Sequence, residues 1–156
     1  MFHDMGLVGG LLQPLFVGAC TVLMPPTAFV EKPVRWFNLI TRYRPHTTGA
    51  PNFAFALSLR KVAADDRAGL DLSSLRNFYN GAERIDASVM RRFIETFADC
   101  GLQPSTMLPC YGLAEVTVFS TGGGPRGYPA VRQAPAAAGR TTAAAIASSI
   151  SLKSVE

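Results

Sequence analysis

Between Pro33 and Ser120 the sequence alternates stretches of helical spacing with short β-prone runs, and this alternation constrains the fold more than any other feature. Residues 33–43 have helical spacing: Pro33 suits a first helical position, Trp36, Ile40 and Tyr43 fall on one face, and Pro45 stops the run. His46-Thr47-Thr48 is β-prone and ends at Gly49-Ala50-Pro51, followed by a helical stretch over 52–64. Arg76–Tyr79 reads as a strand ending at Asn80-Gly81. Residues 87–99 are the clearest helix, with Val89, Phe93 and Phe97 stacked, Met90, Ile94 and Ala98 beside them, Asp86 as N-cap and Gly101 past the end. Thr106–Cys110 is a strand weakened by Pro109, and Val116–Ser120 alternates as another. Such alternation predicts an α/β fold, a mostly parallel sheet with flanking helices.

In a parallel sheet the C-terminal strand ends gather at one edge, where α/β proteins bind ligands. Here those ends carry Gly49-Ala50-Pro51-Asn52, then Asn80-Gly81-Ala82-Glu83, then Tyr111-Gly112-Leu113-Ala114-Glu115. Glycines permit close backbone approach, and Glu83 and Glu115 are the acids these endings bring.

Composition narrows the class. With 156 residues and 48% hydrophobic residues, the chain is long enough for one domain with its own core. The net charge of +4 is concentrated late. Through Thr121 there are 11 basic against 10 acidic residues, and from Gly122 onward 4 against 1, so the folded part gives no reason to expect a nucleic-acid partner. Cys20, Cys100 and Cys110 form neither a disulfide framework nor a zinc pattern, and an odd count points to a reducing compartment. The opening Met1-Phe2-His3-Asp4 lacks a basic leader, so a cytoplasmic protein is expected. Gly6–Met24 is an uncharged run of 19 residues, long enough to span a bilayer, but it contains Gln13, Pro14 and four glycines. It divides into a helical half and a strand, Thr21–Met24, stopped by Pro25-Pro26, and no stable membrane span is expected. From Gly122 to Glu156 the chain is rich in Gly, Pro and Ala without amphipathic period, and a disordered or frameshifted tail is expected after a domain over 1–121.

No G-x-S-x-G, G-x-x-x-x-G-K-[ST], H-E-x-x-H or C-x-x-C pattern occurs. With only His3 and His46, a multi-histidine metal site is not expected. Ser120–Gly127 has the letters of a phosphate cradle but no helix pattern after it, and a flexible linker is the expected reading. His3 and Asp4 are adjacent, and in a helix adjacent side chains diverge, so Asp4 is expected to cap the helix that follows rather than relay to His3. Tyr111 and Glu115, four apart, suit a stacking ring beside a metal-holding carboxylate; a core tyrosine with a surface glutamate accounts for the same spacing.

Four ordered motifs carry a resemblance: Phe2-His3-Asp4-Met5-Gly6-Leu7, Pro51-Asn52-Phe53-Ala54, Tyr79-Asn80-Gly81-Ala82-Glu83 and Leu108-Pro109-Cys110-Tyr111-Gly112-Leu113-Ala114-Glu115. Over residues 1–121 the chain resembles part of the large N-terminal domain of adenylate-forming enzymes, most of all the fatty acyl-AMP ligases. Acyl-CoA synthetases are close relatives that more often show Thr where Ala114 stands. The resemblance implies ATP and Mg²⁺ as cofactors, a fatty acid as substrate, and transfer of the acyl group to the phosphopantetheine of an acyl carrier protein, or to CoA. It implies catalytic roles for His3 and Glu115, with Glu115 also holding Mg²⁺. It implies nucleotide contacts from Asn80, Gly81, Ala82, Glu83, Tyr111 and Gly112, with Tyr111 stacking on adenine and Glu83 reading its edge. Gly6, Leu7, Pro51, Asn52 and Phe53 would wall the acyl pocket.

The family's phosphate loop precedes the His-Asp motif, and its ribose-binding aspartate and C-terminal lysine lie beyond what these residues match. Asp99 and Lys153 fit neither role. The expectation is an internal fragment of such a ligase, inactive alone, or a non-catalytic acyl- or nucleotide-binding remnant. An incomplete sheet exposes strand edges, so dimerisation or aggregation through them is expected.

Overall fold

A computed structural model describes residues 3–116 and 118–122 of the chain. The uncharged N-terminal stretch forms a helix, Met5–Leu12, wound with wide turns in which the Gln13 N–H reaches back to the Val8 carbonyl; it runs into a single α-helical turn, α1 (Gln13–Phe16). No residue of either part is buried. Thr21–Met24, expected as a strand, has no regular structure, and Val22 and Leu23 are exposed. A β-prone run becomes a strand only beside another, and among the described residues none pairs with it. The Pro25-Pro26 step then opens α2 (Pro26–Glu31).

The next helix, α3 (Val34–Tyr43), follows Pro33 and ends where Arg44 adopts a left-handed conformation, φ 47°. Its buried stripe is Val34, Phe37 and Ile40. Trp36 packs at the side of that stripe, and Tyr43, expected on the buried face, lies in solvent under the Arg42 guanidinium, 5.2 Å from its ring centre. Strand β1 (Thr47–Ala50) leads through Pro51 into α4 (Asn52–Lys61), which is shorter than the 52–64 stretch suggested. The remainder is a separate single turn, α5 (Ala64–Arg67), opened by the Ala63 N–H donating to Asp66. Strand β2 (Asn77–Asn80) leads into α6 (Ala87–Phe97), capped by Asp86, whose carboxylate accepts from Ser88 N–H at 2.7 Å. A 3₁₀ turn extends α6 to Cys100, and Gly101 closes it at φ 84°. Strand β3 (Met107–Tyr111) follows, and β4 (Thr121–Gly122) is short. The expected strand over 116–120 is not formed: a 3₁₀ turn at Ala114–Val116 bends the chain away, and only Thr121 and Gly122 return to β3.

The sheet order is β1-β2-β3-β4, with β1, β2 and β3 parallel and β4 antiparallel to β3. Among the described residues β4 pairs with Cys110 and Tyr111 and none pairs with Pro109 from that side, where a missing ladder N–H is tolerated. Cross-strand register sorts the side chains. Phe78 lies beside Met107, and both are fully buried beneath α4 and α6, which also pack on each other. Phe37, Phe55, Phe78, Phe93 and Phe97 form one aromatic cluster with ring centres as close as 4.6 Å. Trp36 stacks edge-on against Phe78 at 5.2 Å and donates its indole N–H to Thr48 at 3.1 Å, tying α3 to β1.

Gly49, Tyr79 and Leu108 form the adjoining row on the opposite face. The Tyr79 ring lies across Gly49, where an added Cβ would sit 2.2 Å from it. No helix of the described residues is long and apolar enough to cross a membrane. The expected tail lies, beyond Gly122, outside the described residues, as does most of the Ser120–Gly127 run.

Candidate functional site

The parallel register brings the carboxyl ends of β1, β2 and β3 to one edge, with Ala50 opposite Asn80 and Asn80 opposite Pro109. The Gly81 N–H donates to the Ala50 carbonyl at 3.4 Å, so the β2 ending stays bound to the β1 ending beyond the strand itself. Gly81 is buried against Cys110, whose Sγ would be 2.6 Å from an added Cβ, and Cys110 Sγ in turn reaches the Asn80 carbonyl at 3.4 Å. The three endings singled out from sequence are therefore neighbours.

Two side-chain links join the start of α4 to the loop after β2. The Asn52 Oδ1 accepts from Asn80 Nδ2 at 3.1 Å and from the Asp86 backbone N–H at 3.2 Å. In the other direction, Glu83 Oε1 accepts the Phe53 backbone N–H. Phe53 is in the first turn of α4, where backbone N–H groups lack helical partners and the helix dipole favours a carboxylate. Between these links Ala82 sits at φ 69°, a conformation costly for a residue with a Cβ.

Asn80 is fully buried, and its amide also points Nδ2 at Met90 Sδ, 2.9 Å away. Among the described residues its Oδ1 has no partner. Asn52 must present its oxygen to Asp86 N–H, so Asn80 must present its nitrogen to Asn52, which leaves that oxygen as the unsatisfied atom.

Tyr111 and Gly112 follow at the end of β3, both half-buried, with the Tyr111 carbonyl accepting from Ser120 N–H at 3.0 Å. Gly112 lets the Val118 backbone come against it, since an added Cβ would overlap the Val118 carbonyl. Glu115 stands exposed on the 3₁₀ turn beyond. It is a lone carboxylate: among the described residues no three His, Cys, Asp or Glu side chains are grouped to hold a metal. That donor set fits Mg²⁺ carried in on phosphates, which takes one or two protein carboxylates, rather than a dedicated ion cage. Burial raises the Tyr79 hydroxyl above its ordinary range and holds the Cys110 thiol up at about 11, so neither ionises near neutral pH.

His3 departs from its expected isolation. It lies just outside the helix, where the rule that adjacent side chains diverge does not apply, and its Nδ1 is 3.0 Å from Asp4 Oδ1. The same nitrogen is 3.1 Å from the Met5 N–H. Asp4, expected as the cap, makes no capping hydrogen bond; the Met5 N–H instead meets His3 Nδ1. Gly6 and Leu7 follow in the helix, Leu7 exposed. Among the described residues no hydrogen bond or ion pair joins His3, Gly6 or Leu7 to the strand-end cluster. Sequence reasoning found the residues of this cluster but not the links from Asn52 and Glu83, which join positions 28 to 34 residues apart.

A parallel sheet whose strand endings meet in glycine-bearing loops is an α/β layout that takes ligands at that edge. The family model for AMP-binding enzyme matches residues 1–147, and the chain belongs to that family. Among curated relatives it is 42% identical over 132 residues to a medium-chain-fatty-acid–[acyl-carrier-protein] ligase of Teredinibacter turnerae, covering 85% of this chain and 21% of that one. It is 44% identical over 124 residues to a 4-hydroxyphenylalkanoate adenylyltransferase of Mycobacterium tuberculosis, covering 80% and 20%. Among solved structures it superposes on a fatty acyl-adenylate ligase from L. pneumophila, in complex with acyl adenylate and pyrophosphate, with a TM-score of 0.76 and 39% identity over 78% of this chain and 21% of the other. The chain thus spans about a fifth of the length of the curated relatives it matches. The expected fold, part of the large domain of an adenylate-forming enzyme, is the one observed.

Proposed function

We propose that these residues supply the acyl-side wall and the adenine side of a fatty acid–AMP ligase. In that reaction a fatty acid carboxylate oxygen attacks the α-phosphorus of ATP, pyrophosphate leaves, and the acyl-adenylate passes its acyl group to the phosphopantetheine thiol of an acyl carrier protein. Transfer to CoA is the alternative acceptor. The observation that carries this reading is the meeting of three strand endings at one edge, in a chain similar to a ligase solved with acyl adenylate and pyrophosphate.

The proposed roles combine the family resemblance with the convergence of the strand endings. The Tyr111 ring, at the end of β3, offers a face for adenine. The backbone of Gly81 and Ala82 and the nearby Gly112 would border the base, with the fully buried Asn80 next to them in the chain. Glu83 has one oxygen on Phe53 N–H, and its carboxylate would also read the base edge. Pro51, Asn52 and the exposed Phe53 would wall the acyl chain; Gly6 and Leu7 would extend that wall and His3 would meet the fatty acid's carboxylate, roles that rest on the family resemblance. Glu115 would hold Mg²⁺, which when bound neutralises phosphate charge. Little covalent work falls to the protein in such a displacement; positioning and charge stabilisation dominate.

Calorimetric titration of the chain with a non-hydrolysable acyl-AMP analogue tests the proposal. Saturable binding is expected, and Tyr111→Ala should weaken it about tenfold or more, since stacking on an aromatic ring is worth ~1–3 kcal/mol per base. Absence of binding by a folded chain, or binding indifferent to Tyr111→Ala, overturns it. Fatty-acid-dependent pyrophosphate release by these residues alone is expected to stay at the no-enzyme level, because they are about a fifth of the length of the relatives.

A further inference from the structure

We infer that Glu83 and Asn52 are positioning residues that clasp the acyl-side helix α4 to the loop after β2, so that the Phe53 wall and the Gly81–Ala82 backbone hold one fixed relation. The inference rests on the functional reading above and extends it from contacts to their support. Its basis is reciprocity. Asn52, at the first position of α4, reaches out to Asn80 and to the backbone of Asp86, spanning the base of the loop. Glu83, at the loop's apex, reaches back to the second N–H of α4. Either link alone would leave the segment a pivot; together they fix both of its ends.

Two further features show that the arrangement overrides local preference. Ala82, between the links, is held at φ 69°, where an alanine stays only if its surroundings impose it. Asn80 keeps its buried Oδ1 without a partner while its nitrogen serves Asn52, so the amide is oriented for the clasp and not for its own satisfaction. A carboxylate on an unpaired helical N–H is a strong, directional bond, and it draws Glu83 away from acting solely on a bound base. A ligand spanning both sides, acyl group and adenosine in one molecule, would then profit from preorganisation more than either half.

Amide hydrogen exchange on the unliganded chain tests the clasp without reference to function. Glu83 is exposed, so its replacement leaves the core intact. Glu83→Ala should speed exchange at Phe53 about tenfold, the usual effect of losing a helix cap, while amides of α6 keep their wild-type rates. Glu83→Gln retains an acceptor oxygen and should restore most of the protection. Unchanged exchange at Phe53 in Glu83→Ala overturns the clasp. So does faster exchange spread evenly over α4 and α6, or a Gln variant as fast as the Ala one.

Titration with the acyl-AMP analogue, AMP and the fatty acid separates the two levels. Glu83→Ala should weaken the analogue about tenfold and each half-ligand by less than about threefold, as expected when preorganisation is lost, with Glu83→Gln near wild type. Equal weakening of whole and halves overturns the positioning role in favour of a direct contact. Protection at Phe53 with no analogue binding overturns the functional reading and leaves only a structural clasp.

Discussion

Two helical regions of similar apolar content meet opposite fates. In α3 and α6 the apolar residues recur on one face, and Phe37, Ile40, Met90, Phe93 and Phe97 are buried to 2% exposure or less. From Met5 to Phe16 apolar residues occur all round, and Leu15 and Phe16 stand 64% and 92% exposed. A helix with one apolar stripe is satisfied by one neighbour; a helix apolar on every side needs enclosure. The first kind can complete a core from local partners. The second makes its principal contacts with itself, Met5–Leu12 against α1, and its burial depends on surfaces the described residues do not supply.

Substitutions can break this contrast in graded steps. Phe93→Ala removes a ring that touches Phe37, Phe55, Phe78 and Phe97. It should cost about 3–5 kcal/mol, as large-to-small changes in packed aromatic cores do, and a urea titration following the Trp36 fluorescence reads it directly. Next comes Asp86→Ala, which removes the α6 cap and should cost about 1 kcal/mol in the same titration. An undiminished midpoint would mean that core packing alone holds the helix start.

Asp71 gives a pH-dependent step in the same region. Hydrogen bonds from Ser73, through its side chain and its N–H, and the Arg44 guanidinium hold its carboxyl at about 2, below the ordinary 3.8. A group whose pKa is depressed on folding stabilises the fold above its unfolded value and loses that contribution as pH falls. The melting-temperature gap between wild type and Asp71→Asn should therefore be full above pH 4 and close towards pH 2. A gap that widens on acidification would reverse the assignment. The smallest effect is expected in the other region. Phe16→Ser should shift stability by no more than about 0.5 kcal/mol in the same urea titration, because its ring is 92% exposed.

The same contrast marks what the sequence made legible. Asp86 and Gly101 bracket α6 as expected because both caps are local devices, set by the few residues around them. The strand endings converge because parallel register follows from strand–helix alternation. Thr21–Met24 and Val116–Ser120 have strand spacing, yet none of their described residues is in a strand, because β-prone residues declare a preference, not a partner. Spacing puts Trp36, Ile40 and Tyr43 on one face, but the buried stripe runs through Val34, Phe37 and Ile40 and leaves Tyr43 exposed. At the sheet edge the strand endings were readable, but the links of Asn52 to Asn80 and Glu83 to Phe53 were not, since no local period connects positions about thirty apart.

The Tyr79 ring lying over Gly49 has a consequence for how these positions vary. Their volumes form one shared quantity, because the space a Cβ would need at Gly49 is already filled by the ring of its register partner. A library randomised at both positions and selected for folding should return small–large and large–small pairs and should be depleted of large–large ones. Neither residue would then register as indispensable when scanned alone with the other left free. The pair carries the constraint, as a two-letter word carries a meaning that neither letter has.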